Sequence, residues 1–154
     1  MYRARLFASK HARAYETVYN LSSPVILSSL RVIQKLTDNK LDVPITWLEK
    51  KIKGLLFDCQ MCGNCVLSST GMTCPMNCPK TLRNGPCGGV LENGNCEVKR
   101  DMECVWVNAW RGSRKMRNNL DIQQIQFAVN HEQKGSSAWI RLSKQEIEIN
   151  DYEH

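Results

Sequence analysis

The chain has 154 residues, with 21 Lys and Arg against 15 Asp and Glu and a formal charge of +6. That length carries one compact domain, or a domain with a small cysteine-rich module, and is short for an oxidoreductase with separate substrate and nucleotide folds. No apolar run approaches the roughly 20 residues that span a bilayer, and "MYRARLFASKHARAYETVYNL" scatters Arg3, Arg5, Lys10 and Arg13 where a secretory signal has an apolar core. The expected setting is therefore cytoplasmic, with no membrane span, where thiolates persist as ligands and disulfides do not. The positive balance suits an acidic partner or nucleic acid without choosing between them. A tetrathiolate metal centre carries about −2, so two of them would cancel most of the basicity.

Residues 1–54 read as mostly helical. The first stretch suits a packed or partner-binding helix. Ser23-Pro24 reads as a helix start, with Ser23 as cap and Pro24 at the first helical position. Ile26, Leu30, Ile33 and Leu36 or Thr37 then share one face of a 3.6-residue period. Asp42-Val43-Pro44 breaks that pattern, and Trp47, Leu48 and Ile52 suggest a short further helix. Residues 55–106 hold every cysteine and most of the glycines, so tight turns around an inorganic centre are expected in place of regular elements. Residues 107–154 return to a helical reading. Asp121 opens "DIQQIQFAVN", with Ile122, Ile125 and Val129 on one side; "GSSAWIRLSK" reads as a short extended piece. The acidic "QEIEINDYEH" reads as a peripheral strand or docking arm.

Cys59, Cys62 and Cys65 form C-x2-C-x2-C, a spacing that turns successive thiolates toward one centre. Cys74-Pro75 and Cys78-Pro79 both have the Cys-Pro form of a remote ferredoxin ligand, but the C-x3-C-P spacing is absent after Cys65. The likeness to ferredoxin is one of ligand chemistry only. Cys87, Cys96 and Cys104 complete a set of eight. The expectation is one or two [4Fe-4S] clusters, with Cys59, Cys62 and Cys65 sharing a centre. Zinc in one or both sites is the main rival, although zinc ribbons favour separated C-x2-C pairs. How the eight cysteines divide is left open by their spacing.

Glycines flank these ligands at Gly63, Gly85, Gly88, Gly89 and Gly94, either to bring backbone amides near sulfur or simply to turn the chain. The remaining chemistry is sparse. His11, His131 and His154 are far apart, and "GPCGG" lacks the spacing and terminal Lys of a phosphate loop. Arg111, Arg114, Lys115 and Arg117 form a basic run that reads first as a solvated face. Trp106 and Trp110 are spaced to share a helix face, explained by packing but also suited to covering a cluster.

The stretch "CQMCGNCVLSSTGMTCPMNCPKTLRNGPCGGVLENGNCEVKRDMECVW", with "GSSAW" beyond it, resembles the methylenetetrahydrofolate reductase C-terminal domain family. That family includes the small cysteine-rich partner subunit of the reductase in acetogens and other anaerobes. The likeness is densest from Leu55 to Arg117 and rests most on "CPMNCPKTLRNGPCGG". It implies a flavin-containing catalytic subunit as partner, with folate and flavin held there and no flavin on this chain. It also implies Cys59, Cys62, Cys65, Cys74, Cys78, Cys87, Cys96 and Cys104 as ligands of iron–sulfur centres, or of zinc in some members. "RNGPCGG" would shape the partner interface.

The expected fold class is α plus irregular: a small, mostly helical domain with a metal-stapled cysteine-rich centre and few strands. The expected function is that of a non-catalytic electron-transfer subunit of an oxidoreductase complex, fed by ferredoxin or another redox subunit. It would supply a partner that makes 5-methyltetrahydrofolate. Two alternatives stand beside it: a structural zinc module that docks and stabilises a folate or methyl-transfer enzyme, and a zinc-dependent nucleic-acid-binding protein. Nucleic acid is the least favoured, because no aromatic-basic stripe or known finger spacing accompanies the basic run.

Overall fold

A computed structural model describes residues 2–37 and 40–144. They form a small, mostly helical domain with almost no strand content. Helix α1 spans Tyr2–Lys10, α2 Ala12–Thr37, α3 Asp42–Phe57 and α4 Val105–Ser113. A last helix, α5, occupies residues 138–144. Among the described residues, pairing is limited to two isolated antiparallel bridges, Val90 with Cys96 and Asn95 with Glu103. The C-terminal "QEIEINDYEH" and His154 lie outside the described residues.

Helix α2 runs through Pro24 instead of starting there. Proline removes one intrahelical hydrogen bond and crowds the carbonyl a turn earlier. Pro24 and Asn20 both lie on the exposed side, where water can satisfy the freed carbonyl. Asp42-Val43-Pro44 is itself the first turn of α3, where a missing N–H costs no bond. Asp42 there also favours the positive end of the helix dipole. The α3 helix ends on Asp58 in the left-handed conformation (φ 55°), whose N–H returns to Gly54 O, and delivers the chain to Cys59.

Two expectations for the C-terminal third are corrected. "DIQQIQFAVN" is not a helix; it gives one 3-10 turn, Asp121–Gln123, and then extended backbone. Ile122 packs against the residues around Trp106, but Ile125 and Phe127 cover nothing, at 88% and 86% exposed. The backbone of Gln126 between them is instead bonded on both sides by the Asn84 side chain, at 2.9 and 2.7 Å. "GSSAWIRLSK", expected to be extended, contains α5. Ser137 caps this helix by accepting the Ile140 N–H at 3.1 Å.

Two apolar clusters organise the domain. One gathers Ala8, Ala12, Phe57, Leu67, Met72 and Cys74 between α1, α3 and the loop after Cys65. The other gathers Cys78, Cys96, Cys104, Met102 and the start of α4. Helix α1 bridges them, packing on both α3 and α4. Its Tyr2 hydroxyl accepts the Glu103 N–H at 2.9 Å. A buried carboxylate on α2, Glu16, accepts the Arg117 N–H at 2.9 Å and so anchors the turn after α4. Gly71 has φ +60°, and a side chain there would strike the Ala109 carbonyl and Ser113 amide, so the 66–73 loop crosses α4 backbone to backbone.

Candidate functional site

The cysteines fall into two sets of four. Cys59, Cys62, Cys65 and Cys74 line one cavity, together with Glu49 and Lys53 from α3, Arg83, Ser136 and Ala138. Cys78, Cys96 and Cys104 share the second apolar cluster, and Cys87 packs against it. The C-x2-C-x2-C triple is thus brought to one cavity and joined by Cys74. The 3-10 turn Pro75–Asn77 joins Cys74 of the first set directly to Cys78 of the second. In the second set, the Cys96 N–H bonds Met102 O (2.9 Å) and the Cys104 N–H bonds Gly94 O (3.0 Å), which folds both cysteines into one tight double turn. All eight are free thiols, and among the described residues no group of three or more Cys, His, Asp or Glu side chains converges closely enough to hold a metal ion as placed.

Several local features nevertheless suit thiolate ligands. Met61 N–H points at the Cys59 sulfur and Gly89 N–H at the Cys87 sulfur, each at 3.4 Å. Such i+2 amides stabilise a thiolate over a thiol. Asp58, Met61, Met72 and Thr81 all carry φ near +50°, a costly conformation for residues other than glycine that tends to gather at functional sites. The buried donors without a protein acceptor among the described residues include Arg83 Nε beside the first set and Trp106 Nε1 in the cluster of the second, along with Gln34 Nε2 and Arg141 Nε elsewhere. A buried unpaired N–H costs free energy unless something absent from the protein accepts it, and a sulfide or thiolate at a bound centre is a suitable acceptor. By donor chemistry both sets fit a metal–sulfur centre. The first cavity is small, about 20 Å³, room for one atom-sized occupant; a larger centre enters only with the cysteine side chains turned back.

The electrostatics of the first set depend on residues that sequence reading did not single out. Lys53 and Glu49 are 6% and 1% exposed, 2.5 Å apart, one helical turn from each other on α3. Their i, i+4 spacing was the available signal. The Ser137 hydroxyl donates to the other Glu49 oxygen, and Lys53 Nζ lies 4.8 Å from the Trp139 ring centroid. Burial works against the Lys53 charge, but Cys65 and Glu49 outweigh it and raise its pKa. Arg83 Nη1 lies 3.8 Å from the Cys62 sulfur, and Nη2 donates to Asn64 O at 2.6 Å. A hydrogen bond from the Cys74 thiol, aided by Met61 N–H, holds Cys59 down to about 6; the same bond, with burial, pushes Cys74 up.

Residues 133–138 close this cavity from above. Gly63 (φ +76°) has no room for a side chain beneath Gln133 and Ser136, and Gly135 N–H bonds Met61 O at 2.7 Å. Near the second set, Trp106 is buried and Trp110, on the same helix, is half exposed. Both line an apolar cavity of about 470 Å³ beside Cys87. The basic run Arg111, Arg114, Lys115 and Arg117 is solvent-exposed. His11 and His131 are also exposed and join neither cysteine set.

The family described as methylene-tetrahydrofolate reductase C terminal matches residues 39–132, more than half of the chain and all eight cysteines. The chain belongs to that family. No curated protein and no solved structure matches it. The match takes in α3 and both cysteine sets, while α1, α2 and the cavity-closing α5 lie outside it. Among the described residues, no helix is long and apolar enough to cross a membrane.

Proposed function

We propose that this chain is an iron–sulfur accessory subunit of a methylenetetrahydrofolate reductase complex. It would relay electrons to a flavin-containing catalytic partner that makes 5-methyltetrahydrofolate. The observation that carries this reading is the sorting of eight cysteines into two separate sets of four, joined by one turn, in a chain of this family. Four thiolates per set is the ligand count of a [4Fe-4S] centre.

Such a centre, when bound, supplies one-electron storage and release. The chain's own residues do the rest. Cys59, Cys62, Cys65 and Cys74 would hold the first centre, and Cys78, Cys87, Cys96 and Cys104 the second. Met61 and Gly89 amides steady the sulfurs; Arg83 and Trp106 supply the otherwise unpaired donors. Residues 133–138 cover the Met61–Gly63 side of the first set. The Pro75–Asn77 turn keeps the two sets adjacent, the arrangement a relay needs. Ferredoxin or another redox subunit would donate electrons singly. Two of them, with a proton, make the hydride equivalent that the partner's flavin passes to 5,10-methylenetetrahydrofolate.

A structural zinc module is the second reading, favoured by the small volume of the first cavity. One experiment separates the two: anaerobic purification with whatever copurifies, then quantitation of iron, acid-labile sulfide, zinc and flavin. Substitution of Cys62 or Cys96 by Ser should each remove one centre's share of iron and sulfide and leave the other. Stoichiometric zinc without iron or sulfide sinks the relay. A loss of all metal from either substitution refutes two independent centres.

A further inference from the structure

We infer that an excess of buried positive charge at one set makes the two centres unequal: Lys53 and Arg83 set the charge around the first cysteine set and make its centre the easier to reduce. This rests on the iron–sulfur reading above. At the first set two cations are buried, Lys53 at 6% and Arg83 at 8% exposure, against a single buried anion, Glu49. Glu49 is shared with the Ser137 hydroxyl, so its charge is not spent on Lys53 alone. Among the described residues Arg83 has no carboxylate partner; its Nη1 faces the Cys62 sulfur at 3.8 Å and its Nε lacks a protein acceptor. The wall is therefore net positive and shielded from water. At the second set Arg5 is also buried and shares a cavity with Cys78, but it pairs with Asp58 at 3.7 Å; Lys80 lies 3.7 Å from the Cys87 sulfur. Lys80 is about one-third exposed and paired with the still more exposed Glu97. Each pair is neutral overall, and solvent screens the Lys80–Glu97 pair further.

Reduction adds one negative charge to a centre. A nearby buried cation favours the added charge far more than an exposed one does, because the local dielectric is low. Net charge and hydrogen bonds to sulfur are the levers by which a protein moves such a potential. Electrons would therefore rest at the first centre, enclosed by α3 and α5, and leave through the second, whose Cys87 borders the half-exposed Trp110. Lys53 and Arg83 are positioning residues in this scheme, not ligands.

The test is a redox titration of the anaerobic holoprotein, followed by electron paramagnetic resonance, with iron and sulfide measured on every sample. Lys53→Met should lower one midpoint and leave the other in place. At the wild-type midpoint the oxidised-to-reduced ratio should rise at least tenfold, about 59 mV for a one-electron couple. Lys53→Arg restores the charge and should restore the midpoint, whereas a purely structural role for Lys53 would make Arg as damaging as Met. Arg83→Gln should lower the same midpoint; it decides the matter if Lys53→Met loses its iron. Unmoved midpoints in samples that retain iron and sulfide overturn this inference alone. A wild-type protein that holds only zinc overturns the iron–sulfur reading and this inference together.

Discussion

Removing one hydroxyl, by Ser137→Ala, tests how α5 is locked onto α3 over the first cysteine set. Ser137 is 3% exposed and makes two bonds at once: it caps α5 through the Ile140 N–H at 3.1 Å and donates to the buried carboxylate of Glu49. Loss of a serine cap costs about 1 kcal/mol, and loss of a hydrogen bond to a buried charge costs about 1.5–3 kcal/mol. Together they predict a loss of about 3 kcal/mol, or a melting midpoint lower by about 10 °C for a chain of this size. Ser137→Thr keeps the hydroxyl and should stay within about 1 kcal/mol of wild type. Urea and thermal unfolding, on samples matched for metal content, measure both. A loss below about 1 kcal/mol for Ser137→Ala would mean that the cap accounts for everything and that Glu49 needs no donor from α5.

Two further outcomes follow from the packing and the thiols. Gly71→Ala should cost more than about 2 kcal/mol, since it combines a strained φ with a clash against α4 backbone; a thermal midpoint equal to wild type would refute the close crossing. In protein stripped of metal, Cys59 should ionise near 6, well below its unfolded value of 9.0. Between those values the unfolded chain binds the extra proton, so stability rises with pH through that window and is lost as pH falls through about 6. Cys74, whose pKa is raised, acts oppositely above its own unfolded value. Ultraviolet thiolate absorbance should show one early step that Cys74→Ala moves upward; no thiolate before about pH 8 would refute the Cys59–Cys74 bond.

Much of the helical frame is legible in the sequence, because it rests on local rules. The apolar period of residues 26–37 and the break near Asp42 both correspond to real helix features. Elsewhere tertiary context overrides those rules. Ser23-Pro24 carries a good start signal, but α2 has already begun at Ala12 and its exposed side tolerates the proline. Of the periodic apolar positions in "DIQQIQFAVN", Ile122 meets a core but Ile125 does not, and Asn84, remote in sequence, holds the backbone after them extended. "GSSAW" contains its own cap, Ser137, whose meaning depends on the helix that follows. The cysteine triple points to a shared cavity by spacing alone, whereas the placement of Cys74 with it, and of Cys78 with Cys87, Cys96 and Cys104, depends on a three-dimensional path. The Arg83 contact to Cys62 spans 21 residues, and no local pattern encodes it.

The wall of the first cavity runs from Glu49 to Ala138, whereas the second set and its packing lie almost wholly between Cys78 and Ala109. On a ribosome, where the N-terminal part emerges first, the second set is complete while the lid of the first is still being synthesised. Four thiols of the first set then wait in the open until residues 133–138 leave the exit tunnel. Loading of that site, and its exposure to oxidants, are thereby tied to the synthesis of residues 133–138.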